Sequence, residues 1–81
     1  MADVAETIFS LLEERGAEKS ICPSEVARAL WPTHWRAHME AVREEARRLT
    51  RVGRLRVTQG ATVLDPDVAW TGPIRLRLPT D

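Results

Sequence analysis

The stretch ICPSEVARALWPTHWRAHME, residues 21–40, contains the only cysteine, both histidines and two of the three tryptophans of the chain. Pro23 suits the first position of a helix, because the N–H that proline lacks would have no partner there. Pro32 disfavours helical backbone at the preceding residue, so this helix is predicted to end near Leu30. Thr33 can cap the helix that follows. The stretch therefore predicts two helices that meet at a tight corner.

Helical periodicity continues on both sides of this corner. Asp3 and Glu6 have the spacing of a capping box at the start of a first helix, predicted over residues 3–15. The second helix is predicted over residues 23–30. A third helix is predicted over residues 33–52, because apolar residues recur there at intervals of three and four. A glycine directly follows the first and the third helix and is a natural stop for each. The apolar stripe of the third helix comprises Trp35, Met39, Val42, Ala46, Leu49 and Val52.

After the third helix the apolar period changes to two. Residues 54–59 and 74–78 alternate apolar and polar side chains, which predicts two β-strands with Leu55 and Val57 on the inner face of the first. The segment between them, residues 60–73, is predicted to be a loop. The predicted fold class is α+β: one winged helix-turn-helix domain of 81 residues, in which three helices precede a two-stranded antiparallel hairpin, the wing.

Composition bounds the class of protein and its compartment. With 43% hydrophobic and 30% charged residues, the chain has the composition of a soluble globular protein. The apolar run near the N-terminus contains acids, so we expect neither a signal peptide nor a membrane span. One cysteine cannot form an internal disulfide. The expected location is therefore the cytoplasm, with no membrane as a partner.

Charge is separated along the chain although its sum is zero. Residues 28–56 carry a net charge of +5, from eight arginines against three glutamates, while residues 1–27 carry −4 and residues 57–81 carry −1. A basic central segment can mark a surface that faces phosphates. The alternative is an arginine-rich helix whose arginines pair with its own glutamates. The counts alone do not separate these interpretations.

Neither catalysis nor metal binding is predicted for the corner. A nucleophilic cysteine needs a base held within reach, and nothing in the sequence directs His34 toward Cys22. His34 and His38 have a spacing that can ligate a metal, but a zinc site needs further ligands, and Trp35 occupies the position of the glutamate in H-E-x-x-H. The protein is therefore predicted not to be an enzyme and to carry no metal or cofactor.

Two kinds of partner are compatible with the predicted fold. Double-stranded DNA is the first, because the second helix of a helix-turn-helix lies in the major groove and arginine is the commonest reader of guanine. The candidate nucleic-acid-binding residues are Thr33, Arg36, Arg43, Arg47 and Arg51. An unidentified protein is the alternative partner, bound through the loop or the outer face of the hairpin. The candidate protein-interaction residues are Arg56, Val68, Trp70, Arg75 and Arg77.

Two features of the sequence count against DNA. The predicted wing loop contains Asp65 and Asp67 and no basic residue, and acids near phosphates reduce affinity. The hairpin's outer face is expected to gather like charges, which destabilise a strand pair unless they are compensated. These charges are Arg54, Arg56, Arg75 and Arg77. We expect acids of the chain, among them the two loop aspartates, to compensate them, and the loop's apolar residues to pack over the core.

The order of motifs resembles a known family. CPSEVARAL (22–30), WR (35–36), HMEAVREEARRL (38–49), GRLRVTQ (53–59), LDP (64–66) and GPIRLRLP (72–79) are the matching segments. Together they resemble a family of small bacterial winged-helix domains of unknown function, over about Ile8 to Pro79. The resemblance implies a winged-helix fold and a cytoplasmic bacterial protein. It implies no catalytic or binding residue, because the family has none assigned.

Overall fold

The described part of the chain contains three α-helices, one 3-10 helix and four short strands. The computed structural model describes residues 3–79, so the ends of the predicted 1–81 domain lie outside the described residues. The elements are α1 (Val4–Arg15), β1 (Ser20–Ile21), α2 (Pro23–Leu30), a 3-10 helix (Trp35–His38), α3 (Met39–Arg51), β2 (Arg56–Gln59), β3 (Thr62–Val63) and β4 (Arg75–Arg77). The predicted α+β class is thereby confirmed.

Local caps start the first two helices. The Glu6 amide donates to Asp3 Oδ1 at 2.8 Å, which satisfies one of the unpaired N–H groups at the start of α1. At α2, Cys22 is the N-cap residue and its amide donates to Glu25 Oε2 at 2.7 Å. Gly16, at φ 118°, follows α1 in a backbone region that favours glycine.

The predicted third helix is divided into two parts. A turn and then a 3-10 helix occupy the segment to His38, and α3 begins only at Met39. The backbone departs from helical geometry at His38 (φ −109°, ψ 5°), whose ring stacks on Trp31 with the centroids 3.9 Å apart. The apolar stripe runs through both parts, and this is why periodicity alone predicted one helix from Thr33. The segment from Trp31 to His38 is called the corner below.

The sheet has four antiparallel strands in the order β1-β4-β2-β3, so the prediction of a two-stranded hairpin is wrong in strand number. Val57 faces Leu76 across β2 and β4, and Leu76 also faces Ile21 on β1. β3 follows β2 after a turn at Gly60 and lies inside the segment predicted to be a loop. Two-residue strands are too short to show the alternation on which a strand prediction depends.

One hydrophobic core joins the helices to the inner face of the sheet. Its members are Ile8, Leu12, Ile21, Val26, Ala27, Val42, Ala46, Leu49, Leu55, Val57, Trp70, Ile74 and Leu76. Two residues depart from the predicted pattern. Val52 is 59% exposed because α3 ends before it, and Thr58 is buried although the alternation placed it outside. Within residues 3–79, no helix is long and apolar enough to cross a membrane.

Candidate nucleic-acid interface

The segment between β3 and β4, residues 64–74, is called the return loop because it folds back onto α3. Arg43, on α3, donates from Nη1 to the Trp70 carbonyl at 3.1 Å and from Nη2 to the Gly72 carbonyl at 2.9 Å. These two hydrogen bonds direct the guanidinium toward the loop backbone. Arg43, a candidate reader of base edges, therefore has partners inside the protein.

Arg47 holds the same loop one turn further along α3. Its Nη1 donates to the Val68 carbonyl at 2.8 Å and to the Pro66 carbonyl. Its guanidinium carbon also lies 4.1 Å from the centroid of the Trp70 ring, in a cation–π contact. With only 16% of its side chain exposed, Arg47 is enclosed by the loop.

Arg51 and the loop aspartates complete this contact. Arg51 Nε lies 3.0 Å from Asp67 Oδ1, in a pair whose side chains are 52% and 73% exposed. Asp65 Oδ1 accepts the Asp67 amide at 2.8 Å, and the Trp70 indole N–H donates to the Asp65 carbonyl at 2.9 Å. The aspartates expected to compensate the hairpin arginines therefore lie against α3.

The remaining two candidate residues for nucleic acid, Thr33 and Arg36, are exposed at the corner. The Arg36 guanidinium carbon lies 4.5 Å from the centroid of the Trp35 ring, and that of Arg28, from α2, lies 4.3 Å from the same centroid. Both arginines are exposed, whereas Trp35 is half-buried and packs against the core. Among residues 3–79, neither guanidinium has an acidic partner within 4.0 Å.

Cys22 and His38, two of the residues considered for catalysis or metal binding, each contact a nearby side chain. His38 stacks on Trp31, and Cys22 Sγ lies 3.1 Å from Ser24 Oγ. The part of the chain from Asp3 to Pro79 contains no group of three or more His, Cys, Asp or Glu side chains that could hold a metal ion.

Arginines lie close together on the hairpin, as expected. Backbone carbonyls accept hydrogen bonds from several of their guanidinium groups. Arg56 faces Arg77 across β2 and β4. Arg75 donates to Oγ and to the carbonyl oxygen of Ser20, each at 2.9 Å, and Arg77 donates to the Glu18 carbonyl at 3.1 Å. These contacts tie β4 to the segment that leads into β1.

Glu25 is an acid near this arginine group. Burial opposes its ionisation, but hydrogen bonds from the Arg15 guanidinium and the Cys22 amide outweigh that effect, and the charges of Arg15 and Arg75 add to them. The pKa of Glu25 therefore lies below its ordinary value. An acid on α2, rather than the loop aspartates, helps to offset the arginines of the hairpin.

One residue predicted for the alternative protein-interaction surface, Trp70, is buried. Trp70 is 8% exposed and belongs to the core, so it offers little surface to a partner. Leu64 also packs against the core, as expected for an apolar loop residue. Val63 and Val68 do not, since they are 59% and 50% exposed.

A shallow groove of about 810 Å³ lies between α1 and the end of α3. Its lining includes Phe9, Leu78 and Arg54, whose guanidinium carbon lies 4.7 Å from the Phe9 ring centroid. Arg48 and Glu45 also line it and bind each other through two hydrogen bonds. The bond from Arg48 lowers the pKa of Glu45, and the same pair raises the pKa of Arg48. These charges neutralise each other within the groove.

Sequence reasoning missed the contact of Arg28 with Trp35 and the internal partners of Arg43. Arg28 is seven residues before Trp35, and Pro32 interrupts the helical period between them, so no spacing rule brings the two together. The hydrogen bonds of Arg43 span 27 and 29 residues and end on carbonyls, which every residue carries. The one available signal was the apolar character of the return loop, which predicted that it packs on the core.

Fold and site together define a small α+β protein whose α3 arginines hold a loop and whose Arg28 and Arg36 contact Trp35 with no acidic partner within residues 3–79. The chain belongs to the family described as "Protein of unknown function (DUF3253)", whose model matches residues 1–79. The resemblance to a family of unknown function is thereby confirmed. No curated protein matches the chain.

Proposed function

We propose that the protein is a winged-helix protein that binds double-stranded DNA, with α2 and α3 as its helix-turn-helix. The order of elements supports this proposal, since two helices joined by a short corner are followed by strands that return along the sheet. β1, from between α1 and α2, pairs with β4, and β4 pairs with β2, so the hairpin is held beneath the helices. In this proposal the protein works in the cytoplasm.

The observation that carries the proposal is the position of Arg36, which is exposed and has no acidic partner among residues 3–79. A helix-turn-helix contacts DNA with the N-terminal part of its second helix. Here the corner leads directly into the N-terminus of α3, and Thr33 and Arg36 are exposed on it. The chain thus exposes an arginine without an acidic partner in the described part of the chain, beside the helix end that the proposed docking geometry requires.

Fluorescence anisotropy of a labelled random-sequence duplex, titrated with protein at two salt concentrations, tests this function. We expect binding that weakens steeply with salt, because phosphate contacts release counterions. Arg36→Ala should reduce affinity without loss of the folded state, checked by thermal unfolding. A duplex that does not bind even at low salt would refute DNA binding.

A protein partner is the second candidate function, favoured by the exposure of Val63 and Val68 beside the return loop. These exposed valines, one on β3 and one on a loop that is itself fixed, offer apolar area to an interface. The test is a pull-down in which wild type retains a protein that the Val63→Ser, Val68→Ser variant loses. Equal recovery by both proteins would exclude this surface.

A further inference from the structure

We propose that Arg28 and Arg36, held by Trp35, form a clamp for the phosphodiester backbone that binds DNA without reading its sequence. This inference rests on the proposed function and specifies its mode. The two guanidinium carbons lie 4.3 and 4.5 Å from one ring centroid, so they are no more than about 9 Å apart. Two uncompensated positive charges at this separation can contact one phosphate or two neighbouring phosphates of a strand.

The indole positions the guanidinium groups without using their donors. A cation–π contact is an electrostatic attraction to the ring, and it occupies none of the five guanidinium N–H groups with an oxygen acceptor. The contact with Trp35 therefore restrains Arg28 and Arg36 while their N–H groups stay available to an anion. Since Trp35 packs against the core, it anchors both side chains to the folded domain. Restraint before binding reduces the side-chain entropy that a phosphate contact would cost.

Arg47 differs from the two clamp arginines, because it both contacts an aromatic ring and donates hydrogen bonds within the protein. Arg47 contacts the Trp70 ring as Arg28 contacts Trp35, but its Nη1 already donates to two loop carbonyls. The same ring chemistry thus occurs in both regions. At Arg28 and Arg36, by contrast, no acceptor within residues 3–79 binds the guanidinium donors.

The face of α3 explains why the clamp would read no sequence. Arg43 and Arg47, two of the candidate nucleic-acid-binding residues on α3, donate to the return loop. Glu40 and Glu44 are exposed on the same helix and oppose the approach of phosphates. The arginines still available to DNA are therefore Arg28 and Arg36. Their contacts would be to phosphates, which carry no sequence information directly.

The test measures how duplex affinity depends on salt for wild type, Arg28→Ala and Arg36→Ala. Each substitution should make the slope of log K against log salt shallower by about one unit, equally for AT-rich and GC-rich duplexes of the same length. Arg28→Lys and Arg36→Lys should restore most of the slope, because lysine keeps the charge. Arg48→Ala is the matched control, since it removes one arginine whose donors bind Glu45. Its slope should equal that of wild type.

The outcomes separate the clamp from the function. If wild type binds in a salt-dependent manner but the slopes of both corner variants are unchanged, the clamp is refuted while DNA binding stands. A strong preference for one duplex sequence would also overturn the sequence-independent mode. If wild type binds no duplex, the proposed function fails and the clamp with it. Thermal unfolding of every variant identifies any substitution that acts through loss of the fold.

Discussion

Two groups of arginines on this protein have the same chemistry and different partners. Those on α3 (Arg43, Arg47 and Arg51) bind carbonyls or a carboxylate of the return loop. Arg28, on α2, and Arg36, at the corner, contact the Trp35 ring and have no acidic partner within residues 3–79. In the first group the charge stabilises a loop that has no regular secondary structure. In the second it remains available to a ligand.

The difference teaches that the number of arginines on a helix does not measure its capacity to bind DNA. The loop between β3 and β4 has eleven residues, and Trp70 packs it against the core. Its backbone carbonyls have no strand partner there, so they need other hydrogen-bond donors. Arginine is well suited to this task, because its five donors can reach several acceptors at once. The return loop thus occupies the helix face that the sequence assigned to nucleic acid.

Trp70→Ala should have the largest effect, because the indole joins the return loop to the core and to Arg47. Loss of a buried tryptophan costs about 3–5 kcal/mol of unfolding free energy. Urea denaturation monitored by circular dichroism measures this loss. Val68→Ala, a change in the same loop at a side chain that is 50% exposed, is the control and should cost less than about 0.5 kcal/mol. Similar losses for both variants would show that the loop is not fixed by Trp70.

Arg47→Ala and Arg36→Ala compare the two groups directly. Removing Arg47 leaves two loop carbonyls without their donor, so we expect a loss of about 1–3 kcal/mol of unfolding free energy. Arg36 has no such acceptor, and its removal should cost less than about 0.5 kcal/mol. Urea denaturation of both variants under identical conditions checks the contrast. If Arg36→Ala proves the more destabilising, the corner arginine has a structural role that contradicts the clamp.

The features of the fold and the site that could be predicted from the sequence are those set by residues close together in the chain. Pro23, Gly16 and Gly53 act on the residues beside them, and the ends of the helices lie where these residues indicate. Alternation placed Leu55, Val57, Ile74 and Leu76 in the core, where the structure has them. The partners of Arg43 could not be predicted, because a contact over 27 residues to a carbonyl leaves no pattern of residue types. β1 and β3 were missed because two residues are too few to show an alternating pattern.

The pair of Arg15 and Glu25 extends the comparison to an arginine at another part of the fold. Because the pKa of Glu25 is lowered in the folded state, its ionised form stabilises the fold above the ordinary pKa of glutamate. This stabilisation is lost as pH falls through the lowered pKa. The stability difference between wild type and Glu25→Gln should therefore be present at about pH 7 and shrink toward about pH 3. Urea denaturation across this range measures it.

The control for this pH dependence is Glu14→Gln, at an exposed glutamate of α1 that has no ion pair within residues 3–79. Its stability difference from wild type should stay small and nearly constant with pH. A difference for Glu25→Gln that is equally constant would show that the contact with Arg15 does not depend on the charge of Glu25.

Within the α3 group, Arg51 differs from Arg43 and Arg47 because its partner is an exposed carboxylate and it is itself exposed. Its pair with Asp67 is 52% and 73% exposed, so Arg51→Ala should cost at most about 0.5 kcal/mol of unfolding free energy. A phosphate can compete for such a weakly held guanidinium. Asp67→Ala should then raise duplex affinity at low salt and steepen the slope of log K against log salt by up to about one unit. The double variant Arg51→Ala, Asp67→Ala is the control and should lose that gain. An unchanged slope for Asp67→Ala would place the DNA away from the end of α3 and confine phosphate contacts to the corner.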